Sequence, residues 1–331
     1  MNTTVGDYRV CMDRRILTAA IGLALALCAM AWAAGVAGAA HGKGAHAASA
    51  LLGGVNIIGV GDGSRPQEAD GAIAQASALH AKVVRTEVPW SVFEPQGPEQ
   101  ISATAQAFTD RLVSDAAAAG IRVIMTVDST PCWASSAPSS LLSGCQASDP
   151  NDATSWQPSA PNYADYAGFV AYLARRYGTQ LAAIEVWNEP DQSNEAYWAG
   201  PNKAESYAAL LRAAYPAIKQ ADPHVMVLGG SLVGSNGLFL SALYAAGIKG
   251  YYDGLAVHYY SRLTLDEVRE IHEVQLANGD TKPLWLDEFG WSSCWPELRE
   301  QEQLCVTEQI QATNLANTFR TLARTPYVAA A

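Results

Sequence analysis

The segment AIEVWNEPD, residues 183–191, contains the pattern from which the architecture of this protein is predicted: a short apolar run that ends in polar loop residues. Such a run is typical of a parallel strand whose two faces are both buried. Further runs of the same kind lie at residues 55–60, 83–88, 122–127, 225–229, 255–258 and 284–286. The run at 183–187 is therefore the fourth of seven predicted strands.

Helical patterns separate these strands, at residues 103–119, 163–177, 203–220 and 302–324. Regular alternation of about eight strands with helices is typical of an α/β protein with the (β/α)8 TIM barrel fold. A doubly wound sheet is the alternative, but its phosphate loop G-x-G-x-x-G is incomplete because Ser64 replaces the third glycine. An eighth strand would begin near residues 326–328, so the barrel is expected to be truncated in strand eight at Ala331.

The composition limits the possible partners. The 331 residues include 21 Lys and Arg and 32 Asp and Glu, which gives a formal net charge of −11. With 49% hydrophobic and 16% charged residues, the chain has a globular rather than a disordered composition. An acidic protein lacks the basic face that phosphate backbones require, so no nucleic acid partner is expected. The charge also argues against anionic substrates.

The first 40 residues have the character of an export segment. Arginines precede an apolar run over residues 16–40 that ends in small residues, as in a cleaved signal peptide. An uncleaved anchor is the alternative, and it would provide the protein's only membrane contact. Residues 41–52 are an Ala-, Gly- and His-rich linker, and residues 53–331 form the barrel domain. We therefore predict a secreted or cell-surface protein.

Four cysteines lie outside the export segment. Cys132 is close in sequence to Cys145, and Cys294 is close to Cys305. In an oxidising compartment the simplest pairing is Cys132–Cys145 and Cys294–Cys305. Because neither pair has Cys-x-x-Cys spacing and no histidine cluster accompanies them, we predict two disulfides and no metal site.

Two glutamates follow predicted strands at positions where barrel enzymes carry their chemistry. Glu189 follows the fourth strand and Glu288 the seventh, each where an apolar run becomes a loop. The carboxyl ends of barrel strands meet at one rim, so these side chains should face each other there. Paired carboxylates are the minimum for glycoside hydrolysis, because one protonates the departing oxygen while the other attacks the anomeric carbon. A helix cap at Glu189 and a surface ion pair at Glu288 are the plainer alternatives.

The motifs around both glutamates resemble the glycoside hydrolases of clan A. The string VWNEPD at 186–191 is similar to family 39, whereas HYY at 258–260 and EFGW at 288–291 resemble the family 5 cellulases. The resemblance covers roughly residues 53–331. It implies a retaining mechanism with Glu189 as general acid/base and Glu288 as nucleophile, their carboxyl groups about 5–5.5 Å apart. It also implies a β-linked polysaccharide or oligosaccharide as substrate, and no cofactor.

Two further residues match polar positions of the clan that lie near the substrate. By resemblance, Asn188 hydrogen-bonds the sugar 2-hydroxyl. Arg85 matches the arginine of the second strand that lies close to the nucleophile, where a positive charge keeps Glu288 ionised. A buried ion pair between Arg85 and a neighbouring carboxylate such as Glu87 is the alternative.

His258 and Tyr260 lie two residues apart on the sixth strand, so their side chains project to the same side. By resemblance Tyr260 hydrogen-bonds Glu288 and His258 lines the sugar subsite. The alternative for His258 is a histidine whose hydrogen bonds are satisfied within the core.

Tryptophans are frequent near the predicted strand ends, where their rings could stack on sugar faces. These are Trp90, Trp133, Trp156, Trp198, Trp291 and Trp295. We expect Trp90 and Trp291 to contact the substrate, with packing inside loops as the alternative.

The sequence thus predicts an exported retaining glycoside hydrolase. A non-catalytic glycan-binding protein on a truncated glycosidase scaffold is the competing hypothesis, because strand eight often supplies an aromatic residue beneath the sugar in clan A.

Overall fold

The computed structural model describes residues 51–57, 66–145, 153–193, 195–233, 237–260, 265–294 and 305–331. The predicted export segment, most of the linker and Trp295 lie outside the described residues.

The described residues contain eight strands, which follow one another in sequence order around a parallel sheet. All seven predicted strands overlap observed ones, and the fourth begins two residues earlier than expected. The strands are β1 (Gly54–Ile57), β2 (Val83–Glu87), β3 (Arg122–Val127), β4 (Leu181–Val186), β5 (Met226–Leu232), β6 (Gly254–Tyr259), β7 (Leu284–Phe289) and β8 (Val328–Ala330).

Strand β8 is short, but it connects the last part of the sheet to the first. The backbone N–H of Leu52 donates to Ala329 at 2.9 Å, and that of Ala331 donates to Leu52 at 3.0 Å. Nearer the carboxyl end, the Asn56 side chain donates to the backbone oxygen of Asp287 at 2.8 Å and links β1 directly to β7. The predicted (β/α)8 barrel with a short strand eight is therefore confirmed.

Helices alternate with the strands, as expected. They are α1 (Pro66–Ala78), α2 (Trp90–Phe93), α3 (Ala103–Ala118), α4 (Ser139–Leu142), α5 (Tyr163–Tyr177), α6 (Lys203–Ala221), α7 (Leu238–Ala245), α8 (Asp266–Ala277) and α9 (Glu308–Leu322), with short 3-10 turns at Ala153–Ser155, Ala160–Asn162 and Gly178–Gln180. In α5, buried residues recur at spacings of three and four, which places them on the face toward the sheet. None of the described helices has the length and hydrophobicity to cross a membrane.

The interior of the barrel has an apolar floor. Seven strands each contribute one buried side chain to it: Val83, Ile124, Ala183, Leu228, Ala256, Trp285 and Ala330. Successive side chains on one face of a strand are two residues apart, so the next interior layer is occupied by Arg85, Thr126, Glu185 and Asp287. The fold thus places a charged layer directly above an apolar one.

Both predicted disulfides are present. Cys132 is bonded to Cys145, and Cys294 is bonded to Cys305. The Cα atoms of the two pairs are 5.8 Å and 5.2 Å apart, respectively. Each disulfide closes a segment that follows a strand: the first lies after β3 and the second between β7 and α9.

The packing of α5 predicts a contrast between two leucines. Leu173 is fully buried, whereas Leu79 after α1 is 70% exposed. We expect Leu173→Ala to lower the free energy of unfolding by about 2–5 kcal/mol, because it leaves a cavity. The matched change Leu79→Ala should alter it by less than about 0.5 kcal/mol. Urea unfolding followed by circular dichroism measures both, and equal losses would contradict the packing described.

Candidate active site

Glu189 and Glu288 lie together at the carboxyl end of the barrel. Glu189 follows β4, and Glu288 lies in β7 opposite His258 of β6. One carboxylate oxygen from each glutamate and a ring nitrogen of His258 lie within 4.8 Å of one another. Both glutamates are largely buried, with 7% and 9% of their surface exposed. The chain therefore brings together two carboxyl groups that are 99 residues apart in sequence.

The loop after β4 holds Glu189 in a strained backbone conformation. Trp187 and Glu189 have φ angles of +71° and +44°, in the left-handed region that costs a non-glycine residue on the order of 1 kcal/mol. Trp187 anchors this turn: its backbone N–H donates to Val127 at 3.0 Å and its indole to Tyr197 at 2.6 Å. Its ring packs edge-on against Trp198, with centroids 4.7 Å apart.

Both carboxylate oxygens of Glu288 accept hydrogen bonds. Arg85 Nη1 donates to Oε1 at 2.5 Å, and the Tyr260 hydroxyl donates to Oε2 at 2.8 Å. His258 Nδ1 is 3.5 Å from the same Oε2. Burial, followed by the proximity of Glu288, raises the pKa of Tyr260, so its phenol keeps the proton it donates.

Glu189 contacts an imidazole and an amide. His258 Nδ1 lies 2.7 Å from Oε1, and the Gln192 side-chain amide donates to Oε2. No arginine or lysine contacts this carboxyl group among the described residues, in contrast to Glu288. The two glutamates therefore have environments of different charge.

Arg85 is the centre of the polar layer inside the barrel. Its guanidinium donates to Glu185 (Nη2–Oε1, 2.6 Å), Asn188 (Nη2–Oδ1, 2.9 Å) and Asn56 (Nη1–Oδ1, 3.3 Å), and its Nε lies 3.3 Å from Asp287 Oδ2. Burial alone would lower the pKa of Arg85, but the surrounding carboxylates raise it well above its ordinary value. Arg85 is therefore charged, and it binds several carboxyl groups rather than one.

Glu185 and Asp287 are members of this site that the sequence prediction did not include. The side chain of Glu185 is fully buried and that of Asp287 is 1% exposed. The suggested ion-pair partner of Arg85 was Glu87, whereas the structure places Glu185, Asp287 and Glu288 around it. A charged residue inside each of two apolar strands was the signal that could have identified them.

The predicted polar residues therefore all meet at one end of the barrel. Asn188 lies beside Arg85, Tyr260 contacts Glu288, and His258 contacts Glu189. Whether these contacts serve sugar binding stays a prediction.

The predicted tryptophan contacts differ from what the structure shows. Trp90 is fully buried, its indole donates to Glu94 at 2.7 Å, and its ring packs against Trp133 and Tyr166. A ring without exposed surface cannot stack on a sugar, so the prediction for Trp90 is wrong.

Trp291 is 8% exposed and lies beside Phe289. Tyr260 and Tyr197, which are 49% and 36% exposed, offer more aromatic surface near the glutamates. Tyr197 was not predicted as a site residue. Burial raises the pKa of Tyr197 to about 12, and the next largest cause is the charge of nearby Glu189.

Two sets of three donor groups in the described residues are close enough together to hold a cation. They are Glu185, His258 and Asp287, and Glu189, His258 and Glu288. Arg85 already donates to Glu185 and Glu288 and contacts Asp287. A metal ion would have to compete with this guanidinium, so the donor sets fit an arginine-centred ion cluster better than a metal site.

Fold and paired carboxylates together define the class: a (β/α)8-barrel protein of the glycoside hydrolase type. The sequence model of the cellulases, glycosyl hydrolase family 5, matches residues 47–319. The chain belongs to this family. A comparison with curated proteins finds no match.

Several solved structures of glycoside hydrolases have a similar fold. A family 39 glycoside hydrolase from Bacteroides cellulosilyticus WH2 has a TM-score of 0.62 and 18% identity, over 85% of this chain and 55% of that one. A family 39 β-xylosidase from Caulobacter crescentus has a TM-score of 0.60 and 19% identity, over 86% and 63%. An exo-β-1,4-mannosidase from Opitutaceae bacterium strain TAV5 has a TM-score of 0.54 and 18% identity, over 85% of this chain and 51% of that one. The chain thus spans about half to two thirds of these proteins.

The ion cluster predicts that Arg85→Met destabilises the protein in a pH-dependent way. Burial raises the pKa of Glu185, but Arg85 and the neighbouring hydrogen bonds together have a larger effect and lower it to about 2. A carboxyl group with a lowered pKa in the folded state adds stability above its unfolded value of 4.5, and this stability is lost as the pH falls toward 2. At pH 7, removal of Arg85 should cost about 3–5 kcal/mol, because buried carboxylates lose their partner.

The difference in unfolding free energy between wild type and Arg85→Met should therefore be largest near neutral pH and narrow on acidification. Urea titrations at several pH values measure it. Arg111 pairs with Asp70 and Asp115 at the surface with its side chain 56% exposed, so Arg111→Met is the control, with an expected cost below about 1 kcal/mol. A difference for Arg85→Met that does not change with pH would contradict this account.

Proposed function

We propose that this protein is a retaining glycoside hydrolase that cleaves the β-linked bonds of a neutral polysaccharide or oligosaccharide. The observation that carries the proposal is the Glu189–Glu288 pair, with oxygens within 4.8 Å at the carboxyl end of the barrel. A separation of about 5 Å suits direct attack on the sugar, whereas an inverting pair is about 6.5–9.5 Å apart to admit a water molecule.

Glu288 is the nucleophile in this proposal. The Arg85 guanidinium at 2.5 Å and the Tyr260 hydroxyl at 2.8 Å stabilise its negative charge and orient both of its oxygens. A carboxylate held in this way attacks the anomeric carbon without first losing a proton.

Glu189 is the general acid and then the general base. Its contacts with Gln192 and His258 orient the carboxyl group without the arginine that Glu288 has. In this proposal the carboxyl group of Glu189 gives its proton to the leaving oxygen in the first step.

The reaction then has two steps. In the first, a Glu288 oxygen bonds to the anomeric carbon, the glycosidic carbon–oxygen bond breaks, and the proton of Glu189 goes to the departing oxygen. In the second, Glu189 removes a proton from water, the water oxygen bonds to the anomeric carbon, and the ester bond to Glu288 breaks. Asn188 and His258 line the place of the reacting sugar, and we assign Asn188 to its 2-hydroxyl.

The character of the site supports a neutral sugar as substrate. The net charge of −11 and the carboxyl groups at the barrel rim disfavour anionic glycans. Tyr260 and Tyr197 are the exposed aromatic surfaces that we assign to sugar stacking, and the largely buried Trp291 offers much less surface. The proteins of similar fold include a β-xylosidase and an exo-β-1,4-mannosidase, which supports a β-linked substrate.

We also propose that the protein acts outside the cytoplasm. Two disulfides are typical of an oxidising compartment, and the N-terminal segment has the sequence features of an export signal.

The nucleophile assignment predicts that Glu288→Ala abolishes hydrolysis, with a loss of at least about 10⁴-fold in kcat. Reducing-end release from β-glucans, mannan and xylan measures it, and nuclear magnetic resonance of the first product shows whether the anomeric configuration is retained. Glu308→Ala, at the exposed start of α9, is the control and should keep full activity. Undiminished activity in Glu288→Ala would refute the assignment.

If the folded wild type releases nothing from the panel but binds one of its glycans, the glycan-binding hypothesis gains support over the hydrolase. Isothermal titration calorimetry with the same glycans separates these results.

The acid/base assignment predicts a dependence on the leaving group. Glu189→Ala should lose about 10²–10⁴-fold in kcat on natural glycans, whose departing oxygen needs a proton. It should lose far less in the first step with activated aryl glycosides, because their phenolate leaves unprotonated. Burst kinetics on both substrate types measure the difference, and equal losses would show that Glu189 has another role.

A further inference from the structure

Three carboxyl groups contact Arg85 in the polar layer of the barrel. Its nitrogens lie 2.6 Å from Glu185, 3.3 Å from Asp287 and 2.5 Å from Glu288. All three side chains are at most 11% exposed, so water screens them poorly. If all three were ionised, the guanidinium would leave two buried negative charges without compensation.

Glu185 has the contacts of an ionised carboxylate. Its Oε1 accepts hydrogen bonds from Arg85 Nη2 at 2.6 Å, from the Thr126 hydroxyl at 3.3 Å and from the Ser231 hydroxyl. Its Oε2 accepts from Arg85 Nε at 3.1 Å. Both oxygens are therefore satisfied by donors that stabilise a negative charge.

Asp287 has a different environment, although it lies beside Glu185. Among the described residues, the donor groups near its Oδ2 make only long contacts: Arg85 Nε at 3.3 Å, Ser231 Oγ at 3.4 Å and His258 Nε2 at 3.8 Å. Its Oδ1 is buried and receives no hydrogen bond from the described residues. A buried carboxylate oxygen without a donor is costly, whereas a protonated carboxyl group needs fewer donors.

Of these two neighbouring carboxyl groups, Glu185 accepts hydrogen bonds on both oxygens, whereas one oxygen of Asp287 has no donor among the described residues. The carboxyl group with fewer donors loses less when it is protonated, so the proton belongs to Asp287.

We propose that Asp287 is a positioning residue that is permanently protonated at neutral pH, so that Arg85 shares its charge between Glu185 and the nucleophile Glu288 alone. This inference rests on the proposed function for the role of Glu288, but the protonation itself does not. A neutral Asp287 fills its position in the polar layer beside Arg85 without adding a negative charge next to the nucleophile.

The groups that face Asp287 agree with this assignment. They are Arg85 on β2, Glu185 on β4, Ser231 on β5, His258 on β6 and Glu288, its neighbour on β7, while Asn56 on β1 binds its backbone oxygen. Burial, followed by the charge of Glu185, raises the pKa of Asp287 well above its ordinary value, although Arg85 acts in the opposite direction.

The first test observes the proton and does not need activity. Aspartate labelled with ¹³C at Cγ is incorporated, and the carboxyl resonances are followed from about pH 5 to 8, a range in which ordinary aspartates stay ionised. Asp128→Asn serves as background, because Asp128 is also buried and its pKa is raised by burial and by Glu87. We expect one remaining resonance at the chemical shift of a protonated carboxyl group, and its disappearance in Asp287→Asn. If every resonance is that of a carboxylate, the proposal is overturned, whether or not Asp287→Asn folds.

The second test compares isosteric amides at the two neighbouring positions. Asparagine imitates a protonated aspartate, so Asp287→Asn should leave the acid limb of the pH profile of kcat/KM at the wild-type position. Glu185→Gln removes an ionised partner of Arg85 and should lose about 100-fold. If Asp287 were ionised, Asp287→Asn would move the acid limb to lower pH, because loss of a negative charge favours ionised Glu288.

The two proposals fail in different ways. A wild type without hydrolytic activity would refute the proposed function, but the carboxyl resonances would still decide the state of Asp287. An active enzyme whose Asp287 is ionised would refute only this inference.

Discussion

The arrangement of side chains at the carboxyl end of the barrel depends on the hydrogen bonds and ion pairs of one buried guanidinium, that of Arg85. An arginine with 4% of its surface exposed is stable there only because carboxyl groups and amides accept its hydrogen bonds. Those partners come from β1, β4 and β7 and from the turn after β4. The requirement to satisfy one guanidinium therefore fixes the relative positions of strands that are far apart in sequence.

The same charge gives the two glutamates different surroundings, which fit the roles proposed for them. Glu288 receives the guanidinium and a tyrosine hydroxyl, whereas Glu189 receives an amide and an imidazole. Two identical side chains a few ångströms apart thus have different hydrogen-bond partners and different neighbouring charges. The strained backbone at Trp187 and Glu189 belongs to this arrangement, since edge-on packing with Trp198 holds the turn in place.

Strands β8 and β1 are short, and hydrogen bonds close the barrel between them. Backbone hydrogen bonds connect residues 52–54 to 329–331, and the Asn56 side chain continues the link to β7 nearer the carboxyl end. Asn56 also accepts from Arg85, so the connection between β1 and β7 is coupled to the ion cluster. The short strand and the active site are therefore parts of one hydrogen-bonded network.

The sequence by itself determined the barrel, both disulfides and the position of Glu189 and Glu288 at strand ends, because these follow from local patterns: apolar runs, cysteine spacing and polar residues at strand ends. Arg85, His258 and Tyr260 were assigned to the site through the resemblance of their motifs to clan A. Only the tertiary structure decided which side chains meet inside the barrel. It shows that Glu185 and Asp287 are partners of Arg85 and that Trp90 is a core residue. Contacts of this kind join distant strands, so they depend on register and packing. Such contacts leave no periodic trace along the chain.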